Sequence, residues 1–169
     1  MDPYTLTTGW SCVNGYAGEG NAKFGASKKG GILVTPSIDL SDASATYTLK
    51  FKACAWSKDA TSLKVQVDEQ EAVEITDLEN GPAPYAANMK EFSLEIKGTA
   101  TSKITFSSSV ESKGRFFLDD IEVTKLAAGE TPDASVSAPG AVAFGTIGVG
   151  TELAQKVAIS GSNLTGDLT

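Results

Sequence analysis

Between residues 46 and 56 the side chains change character at every step. Tyr47, Leu49, Phe51, Ala53 and Ala55 alternate with Thr48, Lys50, Lys52, Cys54 and Trp56. Successive side chains of an extended strand point to opposite faces, so a period of two over this length specifies a half-buried strand with the first set turned inward. The same period recurs along the chain. Leu63, Val65 and Val67 alternate with Lys64, Gln66 and Asp68, and Phe92, Leu94 and Ile96 share one side of residues 91–97. Ile104 and Phe106 mark another strand, and Val73 with Ile75 a short one. Residues 115–126 begin apolar on both faces, through Phe116, Phe117 and Leu118, as a central strand covered on two sides would. Gly30-Gly31, Ser41-Asp42, Lys58-Asp59, Asn80-Gly81-Pro82, Lys97-Gly98 and Lys113-Gly114 are turn pairs or triplets between these runs. Apolar residues at i, i+3, i+4 and i+7, the mark of a helix, are not sustained in any window. The expected fold class is all-β, an antiparallel β-sandwich of the jelly-roll kind.

Chemistry is constrained from the other side by what is missing. The 169 residues include no histidine, which excludes Ser-His-Asp and Cys-His nucleophile systems, histidine-ligated metals and a histidine pH switch. Two cysteines are too few for a thiolate zinc site or an iron–sulfur cluster. A formal charge of -7 leaves no source for the phosphate neutralisation on which nucleic-acid binding depends, so a polyanion partner is not expected. No apolar stretch approaches the roughly 18 residues of a membrane helix, so direct membrane insertion is not expected either. Asp119 and Asp120 form a carboxylate pair, but glycosidase chemistry needs two such groups about 5 to 10 Å apart across a pocket, and neighbours on one strand face opposite ways. The expectation is a protein that is not an enzyme.

The organisation expected is a sandwich over residues 1–126, a patternless linker over 127–133, and new strand-like runs in 134–169 at 134–137, 141–145 and 153–159. So short a second segment buries too little surface to close a domain of its own. Residues 1–4 carry neither a basic n-region nor an apolar h-region, and residues 160–169 stop within a strand-like pattern. A longer, exported parent protein is the expectation.

Two stretches resemble known families. Gly9-Trp10, the run Thr35-Pro36-Ser37-Ile38-Asp39-Leu40-Ser41, Tyr47-Thr48-Leu49-Lys50-Phe51 and the closing Leu118-Asp119-Asp120-Ile121-Glu122-Val123 resemble the galactose-binding-like jelly rolls of secreted bacterial proteins, among them carbohydrate-binding modules, adhesins, MAM and choice-of-anchor domains. Val142-Ala143-Phe144-Gly145-Thr146 and Val157-Ala158-Ile159-Ser160-Gly161-Ser162-Asn163-Leu164 are similar to the opening strands of bacterial immunoglobulin-like domains. Together these resemblances imply a secreted, periplasmic or cell-surface protein in which the present unit is an accessory recognition domain, most simply for carbohydrate. The competing expectations are a structural or adhesive spacer that contacts neighbouring protein domains and, more remotely, part of a carboxylate- or metal-dependent hydrolase.

Candidate residues follow from the aromatic and carboxylate inventory. Trp10, Tyr16, Trp56 and Tyr85 could stack against the C–H faces of sugar rings, with Asn14, Lys52 and Asn80 as polar neighbours. Trp10 reads more simply as the cover of one end of the core. In the resembling jelly rolls an aspartate at the position of Asp119 or Asp120 either fastens the N-terminal loops or helps to hold a structural calcium. Calcium takes about six to eight oxygens, and Glu19, Asn21 and carbonyls of the glycine-rich segment 15–20 could supply some, although no cofactor is required. The stretch 15–21 lacks the lysine and strand-to-helix context of a phosphate loop and is expected to be a flexible loop. Cys12 and Cys54 could form a disulfide in an exported protein or remain two separate buried thiols.

Overall fold

The computed structural model describes residues 8–18 and 20–127, together with the backbone of residues 135–137 and 160–162. The chain divides into two compact units, Met1–Ala128 and Gly129–Thr169. In the first, the strands are β1 (Ser11–Val13), β2 (Gly15–Gly18), β3 (Asn21–Phe24), β4 (Ile32–Val34), β5 (Thr46–Ala55), β6 (Leu63–Val67), β7 (Val73–Ile75), β8 (Lys90–Ile96), β9 (Ile104–Ser108) and β10 (Phe116–Leu126). A single 3-10 turn, Tyr85–Asn88, is the helical content among the described residues. The strands form two five-stranded sheets, ordered β1-β4-β9-β6-β7 and β2-β3-β10-β5-β8. Every strand pairing in them is antiparallel. The fold is therefore an all-β sandwich, as the alternation requires.

The inward set of β5 is buried as its pattern demands: Tyr47, Leu49, Phe51, Ala53 and Ala55 all lie in the core. Leu63, Val65 and Val67 of β6 and Ile104 and Phe106 of β9 meet them from the other sheet. The Phe51 ring stacks on Phe92 at 5.6 Å and meets Phe106 edge-on at 5.1 Å, so β5, β8 and β9 are tied through one side chain. Each such ring withdrawn from water stabilises the sandwich by about 1.5 to 3 kcal/mol. Strand β10 sits at the centre of its sheet, between β3 and β5. Phe116 and Leu118 point into the main core, while Phe117 is buried on the opposite face.

Two expectations about this unit are corrected. The segment expected to be a flexible loop carries strands: Gly15–Gly18 pairs antiparallel with Asn21–Phe24, with Tyr16 opposite Lys23 and Ala17 opposite Ala22. Four-residue strands with glycine at both ends of β2 carry too few large side chains for a period of two to show. The alternation of β10 also fails at Asp119 and Asp120. The register with β5 shifts between Asp119 and Glu122, and Asp120 takes a left-handed φ of 48°, as at a β-bulge.

In the second unit, β11 (Ser135–Ser137) pairs antiparallel with β12 (Ser160–Ser162). The strands expected at 141–145 and 153–159, and the expected linker from residue 128 on, lie outside the described residues.

Candidate functional site

The outer face of the β2-β3-β10-β5-β8 sheet carries a second cluster of rings, away from the main core. Register builds it. Tyr16 lies opposite Lys23, Lys23 opposite Phe117, and Phe117 opposite Cys54, so four adjacent strands place these side chains in one row across the sheet. Phe117 and Cys54 are fully buried there, with Tyr85 packed over them from the 3-10 turn and Trp56 and Met89 at the edge. The Phe117 ring stacks on Tyr85 at 4.4 Å and on Trp56 at 5.9 Å, and Trp56 lies 5.0 Å from Tyr85. Gly18 makes room, since a Cβ at that position would come within 2.8 Å of the Phe117 ring.

Two cations complete the cluster. The Lys23 ammonium sits 4.7 Å from the centre of the Tyr16 ring and 4.8 Å from that of Trp56. The Arg115 guanidinium carbon lies 4.7 Å from the same indole. Arg115 is held by Asp59: its Nε donates to Asp59 Oδ2 at 2.7 Å, an Nη donates to Oδ1 at 2.8 Å, and its backbone N–H adds a bond to Oδ2 at 3.1 Å. This bidentate pair lifts the arginine pKa and fixes the guanidinium plane. The Asp59 carboxylate is 2% exposed and the Arg115 side chain 19%, so the pair is largely removed from water. Lys23 is different. Its ammonium has no hydrogen bond or ion pair among the described residues, and partial burial first, then the neighbouring Arg115 charge, lower its pKa, with Asp59 acting the other way.

A second row on the same face lies two residues along each strand, about 7 Å away. Lys52 of β5 stands opposite Asp119 of β10 and Glu91 of β8. Its ammonium donates to Asp120 Oδ2 at 2.7 Å, which raises the lysine pKa. This row opens onto a cleft of about 330 Å³ lined by Lys50, Phe51, Lys52, Glu91, Asp120, Ile121 and Glu122.

The sequence-derived candidates divide accordingly. Tyr16 and Trp56 meet at Lys23, and Lys52 stands one row away. Tyr85, expected as a ring open to solvent, is 5% exposed and serves as packing over Phe117 and Cys54. Trp10 packs against the main core, the covering role open to it from the start. Asn14 and Asn80 are spent on loops: Asn14 Nδ2 donates to the Gly30 carbonyl at 2.6 Å, and Asn80 Nδ2 to the Asp59 carbonyl at 3.2 Å. Cys12 and Cys54 are both free thiols, because Cys12 packs against the main core while Cys54 belongs to the outer cluster, where its thiol donates to the Tyr85 carbonyl at 3.6 Å. Of the two alternatives the sequence left open, the structure holds two separate thiols.

Asp119 is exposed, and its Oδ1 accepts the Asp120 backbone N–H at 2.9 Å. Asp120 is paired with Lys52, and Asn21 is buried in β3. Among the described residues no group of three or more metal-ligating side chains comes together; Glu19, the remaining calcium candidate, lies outside them. Among the described residues no helix is long and apolar enough to cross a membrane. Lys23, Asp59 and Arg115 were not singled out from the sequence. Arg115 directly precedes the Phe116-Phe117-Leu118 run, the one local sign that a cation would border buried rings. Lys23 was hidden by the unrecognised pairing of β2 with β3.

No protein-family model matches this chain, and no curated protein does. Among solved structures, the chain is similar to a carbohydrate-binding module, CBM35, from Paenibacillus barcinonensis, at 15% identity over 69% of this chain and 93% of that one, with a TM-score of 0.47. It is similar to TmCBM61, solved in complex with beta-1,4-galactotriose, at 19% identity over 70% and 83%, with a TM-score of 0.44. The adhesin domain of Lys-gingipain from Porphyromonas gingivalis W83 is similar at 14% identity over 70% and 92%, with a TM-score of 0.45.

Proposed function

We propose that the first unit is a non-catalytic carbohydrate-recognition module of an extracytoplasmic protein, and that the glycan lies on the outer face of the β2-β3-β10-β5-β8 sheet against Tyr16, Lys23 and Trp56. The observation that carries this is the half-buried pair of rings held about an ammonium that pairs with no carboxylate among the described residues. Aromatic carbon offers a surface to sugar C–H groups, and an ammonium with its donors free can bind hydroxyl or carboxylate oxygens beside it. The cluster beneath, from Phe117 to Tyr85, keeps the rings from collapsing into the face. One or two ring contacts with a few hydrogen bonds suffice for millimolar to micromolar binding, about 4 to 8 kcal/mol. Affinity electrophoresis against a broad glycan panel tests the reading. Retardation by at least one glycan class, lost in Tyr16→Ala and Trp56→Ala proteins that keep their melting transition, supports it; mobility unchanged across the panel refutes it.

A second reading, contact with a neighbouring protein domain, is favoured by aliphatic side chains on the other sheet. Val13 and Ile32 lie opposite one another on β1 and β4 and are 53% and 36% exposed.

A further inference from the structure

We propose that strand β8 is an interface between two copies of this chain: the free edges of two β8 strands pair antiparallel about a two-fold axis at Leu94, so that their β2-β3-β10-β5-β8 sheets continue as one. The contact stands apart from the carbohydrate reading and does not depend on it.

Length and the lack of cover single out this edge. Of the four edge strands, β1 and β7 have three residues, β2 has four and β8 has seven. β8 is paired along one side only, to β5, and among the described residues no backbone group of 90–96 bonds to any other element. An unpaired edge of this length is a template for another strand, and proteins blunt such edges with proline, a bulge or an inward-pointing charge. Residues 91–96 contain no proline, their register with β5 is unbroken, and the side chains turned inward are Phe92, Leu94 and Ile96. Lys90, at the start of the strand, is held within its own chain by Glu79 and the Asp77 carbonyl. Beside the edge the sandwich is open. Phe92 and Leu94 are only partly buried, and Val73 on the facing edge is 50% exposed. A groove of about 300 Å³ lies between the two edges, lined by Val65, Val67, Val73, Leu94 and Ile96 among others.

Register decides the occupant. For two sheets to continue as one, inward residues must meet inward residues, so the axis passes through a residue and not between two. An axis at Ser93 would set Glu91 against the partner's Glu95 twice, one at Glu95 would set that carboxylate against itself, and one at Phe92 would set Lys90 against the partner's Leu94. An axis at Leu94 places Glu91 opposite the partner's Lys97 twice, Phe92 opposite the partner's Ile96 twice, and the two Leu94 side chains together. Both charged groups are available. Glu91 enters no ion pair among the described residues, and Lys97 meets only Glu95, at 3.6 Å, with both side chains mostly exposed. This self-complementarity, in which each contact occurs twice, favours a second copy over an unrelated strand.

Sedimentation equilibrium of the intact chain tests the contact, at loading concentrations up to about 1 mM, the range in which a small interface associates. A monomer–dimer equilibrium is expected. Glu91→Lys and Lys97→Glu should each weaken the dimer at least about tenfold, because each sets like charges opposite one another at two places. The double variant exchanges the signs and restores both pairs, and an equimolar mixture of the two single variants restores them between unlike copies. Both should return the association constant to within about threefold of the parent value. Amide exchange in the parent gives a readout that needs no variant: residues 91–97 should slow as concentration rises, while those of β2, the opposite edge of the same sheet, keep their rates. A monomer at every concentration, single reversals that leave the dimer intact, a double variant or mixture that fails to restore it, or slowing at β2 instead of β8 would each overturn the proposal.

Discussion

Two aromatic clusters are built on opposite faces of one sheet, and consecutive residues of β10 supply both: Phe116 enters the interior and Phe117 the outer cluster. Inside, no cation lies over a ring among the described residues, and ring packs mainly on ring. Phe24 stacks on Phe116 at 5.4 Å, and Phe51 meets Phe106 across the sandwich. Outside, every ring has a polar companion: a thiol beside Phe117, a guanidinium and an ammonium on Trp56, the same ammonium on Tyr16. The interior can do nothing but hold the sheets together. The outer cluster uses equally large side chains on one sheet, exposes part of them, and includes an ammonium that pairs with no carboxylate among the described residues. The difference separates a cluster that only packs from one that, on the proposed reading, also meets a ligand.

The largest effect that would test this contrast is on the interior. Phe51→Ala should destabilise the unit by about 4 kcal/mol in urea unfolding, because it removes a fully buried ring and leaves a cavity between two sheets that cannot close over it. Against a total stability of about 5 to 15 kcal/mol this comes close to unfolding the protein. Phe117→Ala should cost less, about 3 kcal/mol, since Trp56 and Tyr85 can settle toward the gap. If Phe117→Ala proved the costlier of the two, the outer cluster would have to be counted as part of the structural core.

Asp59→Asn comes next. The substitution keeps one acceptor for Arg115 but removes the charge, and a loss of about 2 kcal/mol is expected. Because Arg115 would then share Trp56 with Lys23 without its counter-ion, the tryptophan fluorescence should also change, whereas Phe51→Ala should leave the native emission near that of the parent. An unaltered emission in Asp59→Asn would show that the ion pair does not govern the indole's surroundings.

How far each cluster could be read from the sequence follows from how it is made. The interior comes from long strands in which one residue in two is apolar, so Tyr47 to Ala55 display their inward face without any knowledge of partners. The outer cluster depends on register between strands distant in the chain. Nothing near Lys23 indicates that β10 will bring Phe117 beside it, or that β5 will bring Cys54 beside Phe117. Trp56 was legible as out of phase with the core, but Tyr85, in a loop rich in proline, looked exposed and is instead folded back over the sheet. The pair Asp119 and Asp120 misled for a related reason: a bulge is an interruption of the alternation from which strand faces are inferred.

Acid should separate the two regions more gently. Asp68 accepts the Ser102 hydroxyl at 2.6 Å and the Lys103 backbone N–H at 2.9 Å, and Asp39 and Asp42 accept similar bonds from Ser41 and Ser44. These bonds, that from Ser102 first for Asp68, hold all three carboxyls below their ordinary value of 3.8. A carboxyl with a depressed native pKa contributes stability that is fully present above the unfolded value and is lost as pH falls through the native one. Melting temperature should therefore hold from pH 7 to about 5 and decline below pH 4. Asp68→Asn should flatten part of that decline, while Lys23→Gln should not, because the ammonium remains protonated throughout. A decline unaffected by Asp68→Asn would place the acid-sensitive groups elsewhere.

The smallest effect concerns the two thiols, and it probes both clusters in a single experiment. Cys54 is fully buried beneath Tyr85 and donates to its carbonyl, and burial pushes its pKa up to about 11. Only the thiolate is an effective nucleophile, so at pH 8 this group is both shielded and protonated. Cys12, partly exposed on β1, has a path to solvent. Native protein treated with iodoacetamide at pH 8 should take up one equivalent at Cys12, with Cys54 modified only at the rate at which the outer cluster opens. Tyr85→Ala should speed Cys54 alone and leave Cys12 unchanged, whereas Phe51→Ala should speed both, because it loosens the sheets themselves. Equal acceleration of both thiols by Tyr85→Ala would mean that the two faces of the sheet open together, and the outer cluster would then lose its standing as a unit separable from the core.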